Sequence, residues 1–359
     1  MKSLVIGDIE VSIPIIQGGM GVGISLAGLA SAVANMGAIG VVSSVGIGLV
    51  GNKPFKNYRE TNINALQAEL RKARSLTKGI LGVNIMVAAT NFADMVRVSI
   101  EEGMEIIFSG AGLPFDLPKY LDKNAKTKLV PIISSARAAK VLCEKWKNSY
   151  DYLPDAFVLE GPKAGGHLGF KANQIEDPDF QLEELLPQVV NAVKEFEIKY
   201  DKKIPVIAAG GIYTGEDILK FIKMGASGVQ MGTRFVTTFE CDASDEFKQL
   251  YINATEDDIR IIKSPVGMPG RSINNSFLEK VENHEKMPFN CAYHCIITCD
   301  YKTTDYCIAK ALVNAQMGDM ENGFAFAGKN ASRVNKIISV RELIESLVEE
   351  YNQAEENDN

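Results

Sequence analysis

The chain has 359 residues, 46% hydrophobic and 23% charged, a globular make-up with apolar material for a large core that leaves disorder to the ends. With 38 basic against 45 acidic residues the formal charge is −7, and no long Lys/Arg run offers a footprint for nucleic acid or an anionic membrane, so neither is expected as a partner. The start, MKSLVIGDIEVS, lacks the apolar stretch of a secretory signal, and six cysteines are too few for a disulfide framework; the expectation is a cytoplasmic protein with free thiols.

In chain order, runs rich in Ile and Val fall at 13–19, 39–44, 80–86, 105–111, 128–134, 155–161, 204–211 and 228–235. They are almost continuously apolar, as parallel strands covered on both faces must be. Amphipathic stretches at 61–76, 91–102, 136–146, 182–195 and 215–224 lie between them and predict crossover helices. Alternation alone fits an eight-unit barrel and also a doubly wound open sheet. A barrel uses ~250 residues, so one barrel over 1–255 with additions accounts for the length. After 255 the rhythm breaks. The piece from 256 to 290, which carries SPVGMPGRS, reads as loop with short structure, helices are expected at 305–316 and 340–351, and the extension over 256–352 ends in a polar tail, 353–359.

In a barrel, the residues just past each strand's C-terminal end form the active face. Here they are rich in glycine: Gly18, Gly19, Gly21, Gly110, Gly112, Gly161, Gly165, Gly166, Gly210, Gly211 and Gly232. Such exits are tight turns in any fold, and they also let backbone approach a flat ring and a phosphate closely. AAGGIYTGEDI and VQMGTRF place Gly210, Gly211, Gly232 and Thr233 where barrels hold a phosphate on backbone N–H groups. Gly46, Gly48 and Gly51 spell GxGxxG, but NKPFKNYR follows with Pro54 in place of an opening helix, so a dinucleotide turn is not expected.

FVLEGPKAGGHLGF carries His167 in a glycine loop after the sixth strand. Imidazole there can take a proton or hold negative charge on a substrate oxygen. His284 and His294 read as structural, Cys143 and Cys241 as poorly placed nucleophiles, and Lys163 and Arg271 as loop charges that are solvated or reach the cavity mouth.

IPIIQGGMGVG, LGVNIM, EGPKAGGHLGF, PVIAAGGI and QMGTRF, in this order, resemble the nitronate monooxygenase family from Ile13 to Phe235. The resemblance implies a (β/α)8 TIM barrel, here with a C-terminal, mostly helical extension, and FMN as cofactor. It implies that Gly19, Met20 and Gly21 line the flavin ring and that Asn84 bonds it. Gly210, Gly211, Gly232 and Thr233 would hold the phosphate, with Gln230 and Gly166 as neighbours. His167 matches the family's catalytic histidine, a base toward nitroalkanes or a stabiliser of the nitronate charge, with O2 as electron acceptor. FMN-dependent enoyl-acyl-carrier-protein reductases and quinone reductases carry similar motifs, so an NAD(P)H-dependent reductase is the second reading and a non-catalytic flavin-binding regulator the third. The oligomeric state stays open, a homodimer included.

CAYHCIITCDYKTTDYC sets Cys291, Cys295, Cys299 and Cys307 close in sequence. As one helix, the first and third thiols would stand about 12 Å apart, too far for one small metal site without a turn. The simpler expectation is no metal, with these cysteines packed as small apolar residues in a helix against the barrel.

Overall fold

The computed structural model describes residues 1–51, 57–285 and 289–358. Pro54 and most of the stretch expected to be a loop around it lie outside them.

The chain opens with an antiparallel hairpin, β1 (Leu4–Ile6) and β2 (Ile9–Val11). Eight parallel strands follow: β3 (Ile15–Gln17), β4 (Gly40–Ser43), β5 (Leu81–Met86), β6 (Ile106–Gly110), β7 (Lys128–Ile133), β8 (Phe157–Glu160), β10 (Val206–Ala209) and β11 (Gly228–Met231). They are ordered β3-β11-β10-β8-β7-β6-β5-β4. A bridge between Ile16 and Ile39, with Gln17 N–H donating to Ile39 O at 3.0 Å, joins the first and last strands. The sheet is therefore a closed barrel, and the open-sheet alternative falls.

Every residue of β4, β6 and β10 is buried, which is why these runs show no polar alternation. Inward-facing Ile16, Val41, Phe108, Val130, Val158 and Ile207 fill the barrel, and Leu4, Ile6 and Val11 of the hairpin pack into the same cluster. The hairpin thus plugs the end of the barrel away from the strand exits.

Around the barrel run α1 (Ala27–Asn35), α2 (Tyr58–Leu76), α3 (Phe92–Glu101), α4 (Ala136–Tyr150), α5 (Leu182–Tyr200) and α6 (Gly215–Lys223). The β6–β7 crossover has a 3-10 turn at Leu117–Tyr120 in place of a longer helix. The last expected strand run, 228–235, is a strand only to Met231, and α7 (Thr233–Val236) takes its remaining residues. α8 (Asp245–Asn253) leads into the extension. The stretch expected as loop with short structure holds the hairpin β12 (Ile259–Lys263) and β13 (Pro269–Ile273), then α9 (Ser276–Glu282).

α10 (Ile308–Gln316) and α11 (Val340–Asn357) stand near where two late helices were expected. α11 starts at a capping box formed by Ser339 and Glu342, packs its apolar face on α6, and runs on through the residues expected as a polar tail. Gly215 permits this approach, since a Cβ there would fall 2.3 Å from Tyr351 N. Among the described residues no helix is long and apolar enough to cross a membrane.

Candidate active site

A cavity of roughly 510 Å3 opens at the C-terminal ends of the barrel strands. Its floor is main chain. Gly18, Gly19, Gly210, Gly211 and Gly232 all border it. Gly19 admits no side chain, because a Cβ there would lie 2.2 Å from the Asn84 Cβ. Gly210 and Gly211 have φ of 94° and 88°, conformations that glycine adopts without strain.

All eleven residues expected at the site line this one cavity: Gly19, Met20, Gly21, Asn84, Gly166, His167, Gly210, Gly211, Gln230, Gly232 and Thr233. Buried Ser43 Oγ also borders it and has no hydrogen-bond partner among the described residues. Gly46 lies on the rim, but only a 3-10 turn, Ile47–Leu49, follows it, so the GxGxxG run opens no α-helix.

His167 stands on β9 (Gly166–His167), a two-residue strand. It pairs antiparallel with β13, Gly270 opposite His167 and Arg271 opposite Gly166. The extension therefore supplies the sheet on which the barrel's histidine sits. His167 Nε2 lies 2.7 Å from Ser264 Oγ, and the Phe326 ring meets the imidazole edge-on at 4.9 Å. Burial lowers the His167 pKa to about 4, so the ring is neutral at pH 7. Ser264 Oγ already accepts Val266 N–H at 3.2 Å, which is consistent with its own proton going to Nε2 and the imidazole proton residing on Nδ1.

Arg271 corrects an expectation. It is 2% exposed and does not border the cavity. Its guanidinium donates to Pro162 O at 2.7 Å and Ala164 O at 3.3 Å, fixing the two ends of the turn that precedes Gly165 and Gly166. Lys163, between those carbonyls, is exposed at the mouth.

Glu160, the last residue of β8, was missed although its strand-exit position marks it. It borders the cavity, and burial raises its carboxyl pKa to about 7. Two titratable groups on one loop are thus displaced in opposite directions, as in sites that move protons.

Barrel residues such as Met86, Leu113, Ile132 and Ile133 supply one part of the walls, and the extension supplies another that could not be placed from sequence. Val266, Ile296, Ile308, Ala309, Leu312 and Phe326 form an apolar face, and Gly328, Lys329 and Asn330 cover the glycine floor. Asn330 Nδ2 donates to Gly211 O at 2.7 Å, and Gly328 N–H to Thr233 Oγ1 at 3.3 Å.

The late cysteines also differ from expectation. No helix runs between α9 and α10 among the described residues; Cys291, Cys295 and Cys299 lie on an irregular strap and Cys307 caps α10. All four are free and half-buried. Cys295 borders the cavity. His284 and His294 are exposed residues with left-handed φ, away from it.

The family model for nitronate monooxygenase matches residues 2–350. A probable nitronate monooxygenase of Staphylococcus aureus is 30% identical over 306 residues, covering 77% of this chain and 79% of its own length. A hydroxy-methyl-oxo-octahydroindene-carboxyl-CoA dehydrogenase of Mycobacterium tuberculosis is 30% identical over 270 residues, 75% of this chain but 65% of that protein, a little under two thirds. The solved structure of FabK from Thermotoga maritima superposes with a TM-score of 0.74 at 27% identity, covering 97% of this chain and 95% of that one.

Proposed function

The chain belongs to the nitronate monooxygenase family of oxidoreductases, and on that premise we propose that it binds FMN and oxidises small alkyl nitronates, with O2 as the electron acceptor. The observation that carries this reading is the neutral, buried His167, held by Ser264 over a floor of bare backbone.

The cavity suits FMN in three respects. Its volume falls within the ~300–1,000 Å3 of small-molecule sites. Its floor at Gly19 and Gly211 has no room for side chains, and Ser43 Oγ has no partner among the described residues. Gly19, Met20 and Gly21 would line the ring, Asn84, Gln230 and Gly166 would meet its edge, and Gly210, Gly211, Gly232 and Thr233 would hold the phosphate. Bound flavin supplies the two-electron chemistry that side chains lack.

With its pKa near 4, His167 is a weak base toward a neutral carbon acid, but its N–H is always available to an anion. It would hold a substrate oxygen and cancel part of the anion's desolvation. The anion in turn would favour a shared proton. Lys163 at the mouth adds attraction for a negative substrate. Glu160 is the second group able to exchange a proton with the site.

The apolar wall of Val266, Ile296, Leu312 and Phe326 favours one alternative, an NAD(P)H-dependent reductase acting on an enoyl thioester or quinone. Anaerobic visible spectra separate the two. Bleaching of bound flavin by a nitronate alone supports the proposal, whereas bleaching by NADH or NADPH alone replaces it with the reductase, and a colourless protein overturns the cofactor. His167→Ala should keep its flavin and lose about 10² to 10³ in turnover, the scale of losing one donor to a substrate oxyanion; undiminished turnover would remove His167 from the chemistry, whereas bound flavin reduced by neither a nitronate nor NAD(P)H would leave a flavin-binding regulator as the better description.

A further inference from the structure

The stretch from 289 to 307 is long and irregular for a segment of a compact protein. Among its described residues the only strand-like pairing is one bridge, Ile296 to Ala89. Thr90 N–H donates to Cys295 O at 3.0 Å, Ile297 N–H to Ala88 O at 2.9 Å, and Thr298 Oγ1 to Val266 O at 2.8 Å. These bonds lay the strap over the mouth, where Cys295 and Ile296 become part of the cavity wall. Loops of this length without regular structure are uncommon in a compact domain and are usually either functional or linkers.

Four thiols gather on this strap. A turn at Ile297 and Thr298 folds the chain back between Cys295 and Cys299, which removes the helical spacing that would have kept the thiols apart. Cys295 packs in one apolar cluster with Cys299 and in another with Cys307. Each of the six pairs among Cys291, Cys295, Cys299 and Cys307 is near enough for one thiol to raise the other's pKa. One of the sulfurs also accepts a backbone N–H, Cys291 from His294 at 3.4 Å. Donors of that kind stabilise thiolate, not thiol. Cys143 and Cys241 provide the contrast, since they lie buried in the main core as small apolar residues do.

We propose that Cys291, Cys295, Cys299 and Cys307 form a tetrathiolate site for a thiophilic metal, which staples the strap and α10 into the wall of the cavity. Four soft sulfur donors select zinc or an iron–sulfur cluster over magnesium or calcium. Among the described residues no three ligands already stand in the closed geometry of a bound ion. The thiols must therefore rotate onto a common centre and release their protons as metal binds, the usual coupling of metal binding to local ordering.

The test uses the full chain, purified without oxygen and without metal-affinity steps, and measures zinc, iron and acid-labile sulfide together with X-ray absorption at the edge of the metal found. About one tightly held site per chain with a sulfur-only shell is expected, at ~2.3 Å for zinc. Zinc without sulfide identifies a simple tetrathiolate, and iron with matching sulfide identifies a cluster; both support the proposal. The double variant Cys299→Ser/Cys307→Ser should lower metal content at least about tenfold, whereas Cys143→Ala should not. Should the double variant fail to fold by circular dichroism, the shell of the wild-type metal decides. A shell of nitrogen and oxygen overturns the proposal, as does metal retained in a folded double variant. So does a wild-type chain that carries no metal and, after added Co2+, shows no thiolate-to-cobalt absorption.

Discussion

The floor and the far wall of the cavity are built by different means. The floor is backbone, presented by Gly19, Gly210, Gly211 and Gly232 at strand ends and shaped by what a missing Cβ permits. The wall is side chain, from Val266, Ile296, Leu312 and Phe326, and its residues reach the site only because the extension folds back across the strand exits. The place proposed for the cofactor is shaped locally by conformational permission, whereas the wall that a substrate would meet is fixed at long range by packing. β9 and β13 join the two, since their ladder puts His167 of the barrel on a sheet of the extension.

Substitutions on either side should therefore separate cofactor binding from substrate selection. The largest effect belongs to the floor. Gly211→Asp would set a carboxylate against the proposed phosphate, and like charges ~4 Å apart at an effective dielectric of about 20 cost roughly 4 kcal/mol, some three powers of ten in affinity. The variant should purify without flavin; flavin released in full amount on denaturation would place the phosphate elsewhere and break the contrast.

Next comes the joint between the regions. Arg271→Met removes both guanidinium bonds and leaves the buried Pro162 and Ala164 carbonyls unpaired, a loss of about 2 to 4 kcal/mol. Urea unfolding should show that loss, and turnover should fall with it because the turn before His167 is no longer held. Unchanged stability would mean that the floor does not depend on the extension.

The wall should respond differently. Leu312→Trp fills space beside the cavity, so it should raise KM for bulky substrates roughly tenfold while flavin content stays normal. Loss of flavin in that variant would merge the two regions into one.

The smallest effect is in pH dependence. His167 keeps a folded pKa of about 4 against 6.5 for the free side chain, so the unfolded chain binds more protons between those values. Its contribution to stability is complete above pH 6.5 and is lost as pH falls toward 4. Glu160, raised from 4.5 to about 7, acts oppositely: its contribution is present below pH 4.5 and is lost as pH rises toward 7. Melting temperatures from pH 7 down to 4.5 should fall less steeply in His167→Asn than in the wild type and more steeply in Glu160→Gln. Parallel curves would show that neither group is displaced as described.

Much of this is legible in the sequence. The eight apolar runs predicted parallel strands because a strand buried on both faces cannot alternate, and the glycine exits marked the face on which the cavity opens because glycine leaves the chain itself bare there. His167 was legible from its place after the sixth strand. Barrel closure was implied by the motifs shared with the family and not by the alternation of elements alone, since it rests on the contact of Ile16 with Ile39, which no local pattern encodes. Ser264 as the partner of His167, the burial of Arg271 and the strap that carries Cys295 were not legible, because each depends on residues far apart in the chain meeting across a packed surface. Local periodicity and backbone freedom determine elements and their exits; the partner each side chain finds is decided by tertiary packing, which no short stretch of sequence encodes.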